Sequence, residues 1–321
     1  MPEPSVATFA AIRGHATVCA GLRQAAARER LAHGLLFAGP DGVGKRAVAQ
    51  ALAAWLQCRA RGPDDACGRC DACRQVAAGT HPDVLTIAVP SGKQEIGIDR
   101  IRELKRFASL QPAQGRAKVA IIDEAPALTV PAQNALLKTL EEPPPRSFVI
   151  LVAASPDALL PTVRSRCRRL RFGPLPTADV VEILTGVPGI APAVADALAR
   201  LAEGSPGRAL LLHRTFGDVA AGLLTGALAG VEDARYCALM PVARDLNTPE
   251  AATALKLEVL LAELRDEAVR RATRADPTSR AGLRATLDRA DAVQAAAAAV
   301  RRGNPNRSLL LESLLLQLAR S

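Results

Sequence analysis

The chain has 321 residues, 49% apolar and 23% charged, with a formal charge of +9, a length that suits about two domains or three small ones. Only 2% of the residues are aromatic, which argues against holding single-stranded nucleic acid by base stacking and leaves phosphate contact as the route to a polyanion. No apolar run reaches the roughly eighteen residues a membrane span needs, and Met1-Pro2-Glu3-Pro4 lacks the basic-then-apolar pattern of a signal peptide. A soluble, cytoplasmic protein is expected, so the seven cysteines are to be read for metal before disulfides.

In chain order, Leu35-Leu36-Phe37-Ala38 reads as a strand closed by a glycine-rich turn, and Lys45 to Gln57 as a helix. Val119-Ala120-Ile121-Ile122 and Phe148-Val149-Ile150-Leu151-Val152 are continuous apolar runs, as expected of strands covered on both faces. Between them Thr129 suits a helix N-cap and Pro131 a first turn. The helix carries Leu136, Leu137 and Leu140 and stops at Pro143-Pro144-Pro145. This pattern predicts a parallel α/β domain over residues 1–171. Residues 177–213 hold short helices punctuated by Gly186, Pro188, Gly189, Gly204 and Pro206. From about 215 to 321 the pattern is helical, ending in Leu309-Leu310-Leu311 and Leu314-Leu315-Leu316 on one amphipathic helix.

Gly39-Pro40-Asp41-Gly42-Val43-Gly44-Lys45 follows a strand and opens a helix, the context that makes a phosphate loop specific. Glycines Gly39, Gly42 and Gly44 let backbone N–H groups converge on phosphate oxygens, and Lys45 reaches the terminal phosphates. The motif asks next for a Ser or Thr hydroxyl to hold Mg²⁺; here the residue is Arg46, which has no acceptor and carries like charge. Asp123-Glu124 after the strand 119–122 is the matching acidic pair, aspartate for Mg²⁺ and glutamate for the attacking water. Binding of ATP with Mg²⁺ at this site is expected to be weak or absent, with Arg46 paired to Asp123 instead; residual nucleotide binding through Lys45 stays open.

Cys58, Cys67, Cys70 and Cys73, in a stretch broken by Pro63, Asp64, Asp65, Gly68 and Gly79, have the spacing of a closed tetrahedral Zn²⁺ site. Such a segment has little core of its own and needs a staple. A redox pair or an iron–sulfur cluster would use the same residues. Cys19, Cys167 and Cys237 lie outside the set and read as buried cysteines.

Arg164-Ser165-Arg166-Cys167-Arg168-Arg169-Leu170-Arg171 carries five arginines in eight positions. Three uses fit: a solvated basic face, contact with DNA phosphates, or an arginine finger delivered to a neighbour's nucleotide site.

Taken together, His33-Gly34-Leu35-Leu36-Phe37, the phosphate loop, the four cysteines, Asp123-Glu124-Ala125, the run Ala135 to Pro144 and Ser165-Arg166-Cys167 resemble bacterial sliding-clamp loader subunits of the AAA+ class. The resemblance covers about residues 8–215. It implies an AAA+ P-loop domain with a zinc module (1–171), a small helical lid (172–214) and an all-α collar (215–321). It also implies that Arg166 is a finger acting on a neighbouring ATPase, and that Ser155 stands at a sensor position. The implied partners are gamma or tau ATPases and delta in a five-membered ring, the sliding clamp, and primed DNA through its phosphates. The setting would be the DNA polymerase III holoenzyme of a bacterial cytoplasm, near the nucleoid. Within the family, Arg46 and the short chain favour a non-hydrolysing member over an active gamma or tau ATPase. An unrelated basic zinc protein that binds DNA is the third reading.

Overall fold

Four short, mainly apolar runs and one arginine-rich run build one sheet. β1 (Gly34–Ala38), β2 (Val84–Ile87), β3 (Lys118–Ile122), β4 (Ser147–Ala153) and β5 (Arg168–Arg171) lie in the order β2-β3-β4-β1-β5, and each adjacent pair is parallel. This computed structural model describes residues 8–62, 65–216, 250–273, 277–301 and 306–320; Pro63, Asp64 and Cys237 lie outside them.

The helices before and between the strands are α1 (Ala16–Ala27), α2 (Lys45–Gln57), α3 (Asp71–Ala78), α4 (Ile98–Ser109), α5 (Val130–Glu141) and the single turn α6 (Pro161–Arg164). Alanine, the best helix former, fills much of α1 and α2. The Thr129 hydroxyl accepts from the Ala132 N–H at 3.4 Å and Pro131 sits in the first turn, so α5 starts where its cap stands.

Both faces of the sheet are covered, as the apolar runs predict. Leu36, Ala120, Ile122, Val149 and Leu151 share one buried cluster with Ile101 and Leu104 of α4 and Leu136 and Leu140 of α5. The alternate residues Leu35, Phe37, Ile121, Ile150 and Val152 are also buried. Val48 and Leu52 of α2 are buried outside that cluster, and α2 contacts β4, so α2 covers the second face. Truncating one of these side chains, such as Leu136, to alanine would cost about 2–5 kcal/mol.

Two strands escape the sequence pattern. β2 is only Val84-Leu85-Thr86-Ile87 at the sheet edge, too short for a periodic signal. β5 falls inside the arginine run, where exposed side chains mask a strand held by its pairing to β1.

Further along are α7 (Thr177–Thr185), α8 (Pro192–Leu201), α9 (Pro206–Phe216), α10 (Glu250–Thr273), α11 (Pro277–Arg301) and α12 (Arg307–Arg320). The chain divides into two compact units, Met1–Ile183 with Glu203–Arg208, and Leu184–Ala202 with Ala209–Ser321. In the second, Leu257 and Leu260 of α10, Val293 and Val300 of α11, and Leu311, Leu314, Leu315 and Leu318 of α12 form one core. The i, i+3, i+4, i+7 spacing on α12 is the stripe expected of a packed helix. Among the described residues no helix is long and apolar enough to cross a membrane.

Candidate functional site

The phosphate loop joins β1 to α2 as the sequence predicts, but its polar groups are occupied by the protein itself. Lys45 is 4% exposed, and its ammonium donates to the carbonyls of Gly39 and Pro40, each at 2.6 Å. Asp41 lies 3.7 Å away. Burial is the main cause of a Lys45 pKa below the usual lysine value, with Asp41 and then Asp123 opposing it.

The loop is also packed against other segments. A Cβ on Gly39 would fall 2.0 Å from the Phe172 carbonyl oxygen, and one on Gly42 2.4 Å from Ser205 Oγ. The Ser205 hydroxyl donates to Asp41 O at 2.7 Å, and Gly207 N–H donates to Gly42 O at 2.9 Å. His15, ahead of α1, donates its Nε2–H to Val43 O at 2.9 Å and lies edge-on to Phe172 at 4.8 Å. Segment 205–207 and His15 therefore brace the loop from two sides. The sequence pattern marked Gly204 and Pro206 only as breaks between short helices and gave no sign of His15, whose residue type carries no signal of its own.

Arg46 Nη1 lies 3.1 Å from Asp123 Oδ2. The carboxylate that a Mg²⁺ ion would share thus already faces a cation, and position 46 supplies no hydroxyl. Glu124 is exposed and takes a left-handed φ of 54°, a conformation that L side chains rarely adopt. Ser155, just beyond β4, is exposed and precedes a short 3₁₀ turn.

At the other end of α2 stand the four cysteines. Cys58 follows the helix directly, Cys70 is the N-cap of α3, and Cys73 lies in its first turn. All four Sγ atoms lie within 4.8 Å of one another, with Cys58 and Cys70 3.9 Å apart. A tetrahedron with Zn–S bonds of about 2.3 Å has S···S edges of about 3.8 Å, so the residues fit that ion. Burial raises the Cys70 thiol, but N–H donation from Cys73 and Arg59 and its sulfur neighbours bring it down to about 6. Burial, together with Cys70 and Cys58, pushes Cys73 well above the ordinary thiol value. Four thiolates held this close repel one another, and a divalent cation is what would let all four ionise.

Under this module Gln57, the last residue of α2, donates to Ala117 O at 2.7 Å and Asp83 O at 3.4 Å. Asp83 is 0% exposed. Its carboxylate accepts from the N–H groups of Ala113, Gln114 and Gly115 at 2.7–2.8 Å and lies 2.8 Å from Lys118 Nζ. No motif announces this buried pair in the sequence.

Arg166 sits in the turn from α6 to β5. Its guanidinium pairs with Glu141 Oε1 at 2.6 Å and donates to Thr162 O at 3.0 Å. The next residue, Cys167, packs against the sheet core, and burial pushes its thiol up to about 12; it anchors the turn. Cys19 is buried as well.

A parallel sheet, a glycine-rich loop opening a helix and an acidic pair after the neighbouring strand define a P-loop nucleotide-binding domain. Residues 14–176 match the family model described as DNA polymerase III, delta subunit. The chain is 38% identical over 192 residues to the DNA polymerase III subunit delta' of Pseudomonas aeruginosa, covering 59% of this chain and 58% of that one. It is 32% identical to the tau subunit of Escherichia coli over 275 residues, 80% of this chain and 42% of that one. A crystal structure of a DNA polymerase III gamma subunit-related protein from Thermotoga maritima aligns with 93% of this chain and 99% of its own, at TM-score 0.48 and 18% identity. The chain belongs to the DNA polymerase III delta-subunit family, and the resemblance to clamp-loader subunits drawn from its motifs holds. An unrelated DNA-binding protein is thereby set aside. The chain spans less than two thirds of the length of the delta' relative just named.

Proposed function

We propose that the chain is a delta-prime-type clamp-loader subunit that hydrolyses no ATP itself and lends Arg166 to the nucleotide site of a neighbouring gamma- or tau-type ATPase. The observation that carries this reading is the 3.1 Å pair between Arg46 and Asp123, which occupies the metal side of the site with a guanidinium. The Lys45 ammonium, turned onto Gly39 and Pro40, supports it. In this reading residues 1–171 form the P-loop domain, 172–214 a lid and 215–321 a collar that joins a five-membered ring with delta and the ATPases. The ring opens the sliding clamp and sets it on primed DNA in the bacterial cytoplasm. Zinc at Cys58, Cys67, Cys70 and Cys73 staples the module; with four protein ligands it would leave no open position for substrate.

Arg166 is exposed enough to exchange Glu141 for a phosphate, and a guanidinium suits the charge that spreads over a transferring phosphoryl group. Arg166→Ala should leave the chain folded and lower the DNA-stimulated ATPase of the reconstituted complex by the share of one site. At that site the loss should be of the order of 10³–10⁵. Normal hydrolysis and clamp loading by the mutant complex would overturn the finger. Brisk turnover of Mg·ATP by the isolated chain would make it an active gamma- or tau-type subunit instead.

A further inference from the structure

The arginine run divides in two. Arg164 pairs with Asp157 and Arg166 with Glu141, both ahead of β5. Arg168, Arg169 and Arg171, on β5 itself, form no such ion pair among the described residues. Among the described residues β5 pairs with β1 alone, so they stand at the edge of the sheet. Phe172 N–H donates to Ala38 O at 2.8 Å. By the two-residue alternation of a parallel ladder, Arg168 and Leu170 also turn their backbone groups toward β1, and Arg169 and Arg171 turn theirs outward.

Beside this edge lies a cleft of about 220 Å³ between α1 and the strand end, lined by Gly21, Leu22, Arg30, Leu31, Arg168 and Leu170 among others, with no acidic residue in its wall. The edge thus has an apolar cleft with Arg168 on one face, and Arg169 and Arg171 on the other.

We propose that this edge takes an extended acidic segment of a partner protein. That segment adds a strand beside β5, seats apolar side chains on the cleft face beside Arg168 and Leu170, and pairs its carboxylates with Arg169 and Arg171 on the other face. Backbone pairing would supply affinity and the alternate side chains specificity, while guanidinium–carboxylate pairs set the charge that is accepted. Arginines on an edge also guard against pairing with apolar strands; that guard selects the same acidic partner. Nucleic acid would use the arginines but neither the outward amides nor the apolar cleft.

The test uses the full chain and a fluorescein-labelled peptide alternating aspartate and leucine, followed by fluorescence anisotropy. The comparators are the same peptide N-methylated at alternate residues, a version with lysine for aspartate, and a single-stranded oligonucleotide of matched charge. Two variants probe the surface. Arg169→Glu with Arg171→Glu reverses the exposed charge on the face away from the cleft. Gly21→Phe fills the cleft, since a Cβ there meets nothing within 4 Å, and a helical glycine is the poorer helix former. The acidic peptide should bind saturably, and each variant should weaken it about tenfold or more. Absence of saturable binding overturns the proposal, as does equal binding of the N-methylated peptide. Preferential binding of the oligonucleotide, lost on charge reversal but untouched by Gly21→Phe, would make the surface a phosphate contact instead.

Discussion

The two ends of α2 carry the two strongest motifs of the chain, and they have opposite needs. At the N-terminal end Lys45 and Arg46 are cations that the protein itself has answered, with carbonyls for one and Asp123 for the other. At the C-terminal end Cys58 begins a set of four thiols whose close neighbours are one another. The first motif keeps the shape of a ligand site while its partners come from within; the second has the geometry to take an ion from outside. A glycine-rich loop or a cysteine spacing in a sequence reports ancestry and geometry alike. Which of the two sites still takes a ligand depends on whether neighbouring side chains have already filled the polar valences.

If that contrast is right, the largest effect comes from the cysteine end. Freshly purified, reduced protein should carry one zinc per chain by elemental analysis. Cys73→Ala should release it and cost several kcal/mol, bounded above by the roughly 10–16 kcal/mol apparent free energy of small zinc-dependent folds. The rest of the P-loop domain has its own core, so loss of protection in hydrogen exchange should concentrate in residues 58–79. Metal-free protein with an unchanged melting temperature would break the contrast at its stronger side.

The support under that module comes next. Asp83 is buried against Lys118 and three N–H donors, and removing one partner of such a pair costs about 3–5 kcal/mol. Asp83→Asn should approach that loss. Although burial acts upward on the carboxyl, Lys118 and the N–H groups of residues 113–115 hold it far below its ordinary value of 3.8. The folded form therefore binds this proton less readily than the unfolded chain does. The stabilisation is present above pH 4 and fades as pH falls below it toward the depressed folded value. Urea titrations of wild type and Asp83→Asn should converge on acidification; a constant gap between them would exclude this carboxylate as the source.

The same contrast explains what could be read in advance. Strands β1, β3 and β4 were legible because burial on both faces leaves continuous apolar runs, and α5 because Thr129 and three prolines mark its limits. The loop and the cysteines were legible because their residue types are required by backbone geometry and by metal. Arg46 opposite Asp123 was legible from charge alone, once a like-charged residue stood at the cation position. Groups whose partners are distant in sequence were not: Asp83 finds Lys118, Arg166 finds Glu141, and Ser205 reaches back to Asp41 across 164 positions. Edge strand β5 was hidden for the opposite reason, since its arginines satisfy solvent and leave no apolar signature.

The smallest effect should come from Arg46 itself. Its side chain is 56% exposed, and exposed ion pairs contribute about 0–1 kcal/mol. A cation in the first turn of α2 also opposes the helix dipole by a few tenths of that unit. Arg46→Ala should therefore leave the denaturation midpoint almost unmoved. Arg46→Thr goes further, because it restores the hydroxyl that Mg²⁺ would want. If Arg46 were the sole obstacle, phosphate release by the isolated chain should rise clearly above background. The expected result is no rise, because Lys45 remains folded onto Gly39 and Pro40 and the loop remains braced by Ser205, Gly207 and His15. Turnover restored by that one substitution would mean that the bracing yields to nucleotide, and that the two ends of α2 differ by a single side chain.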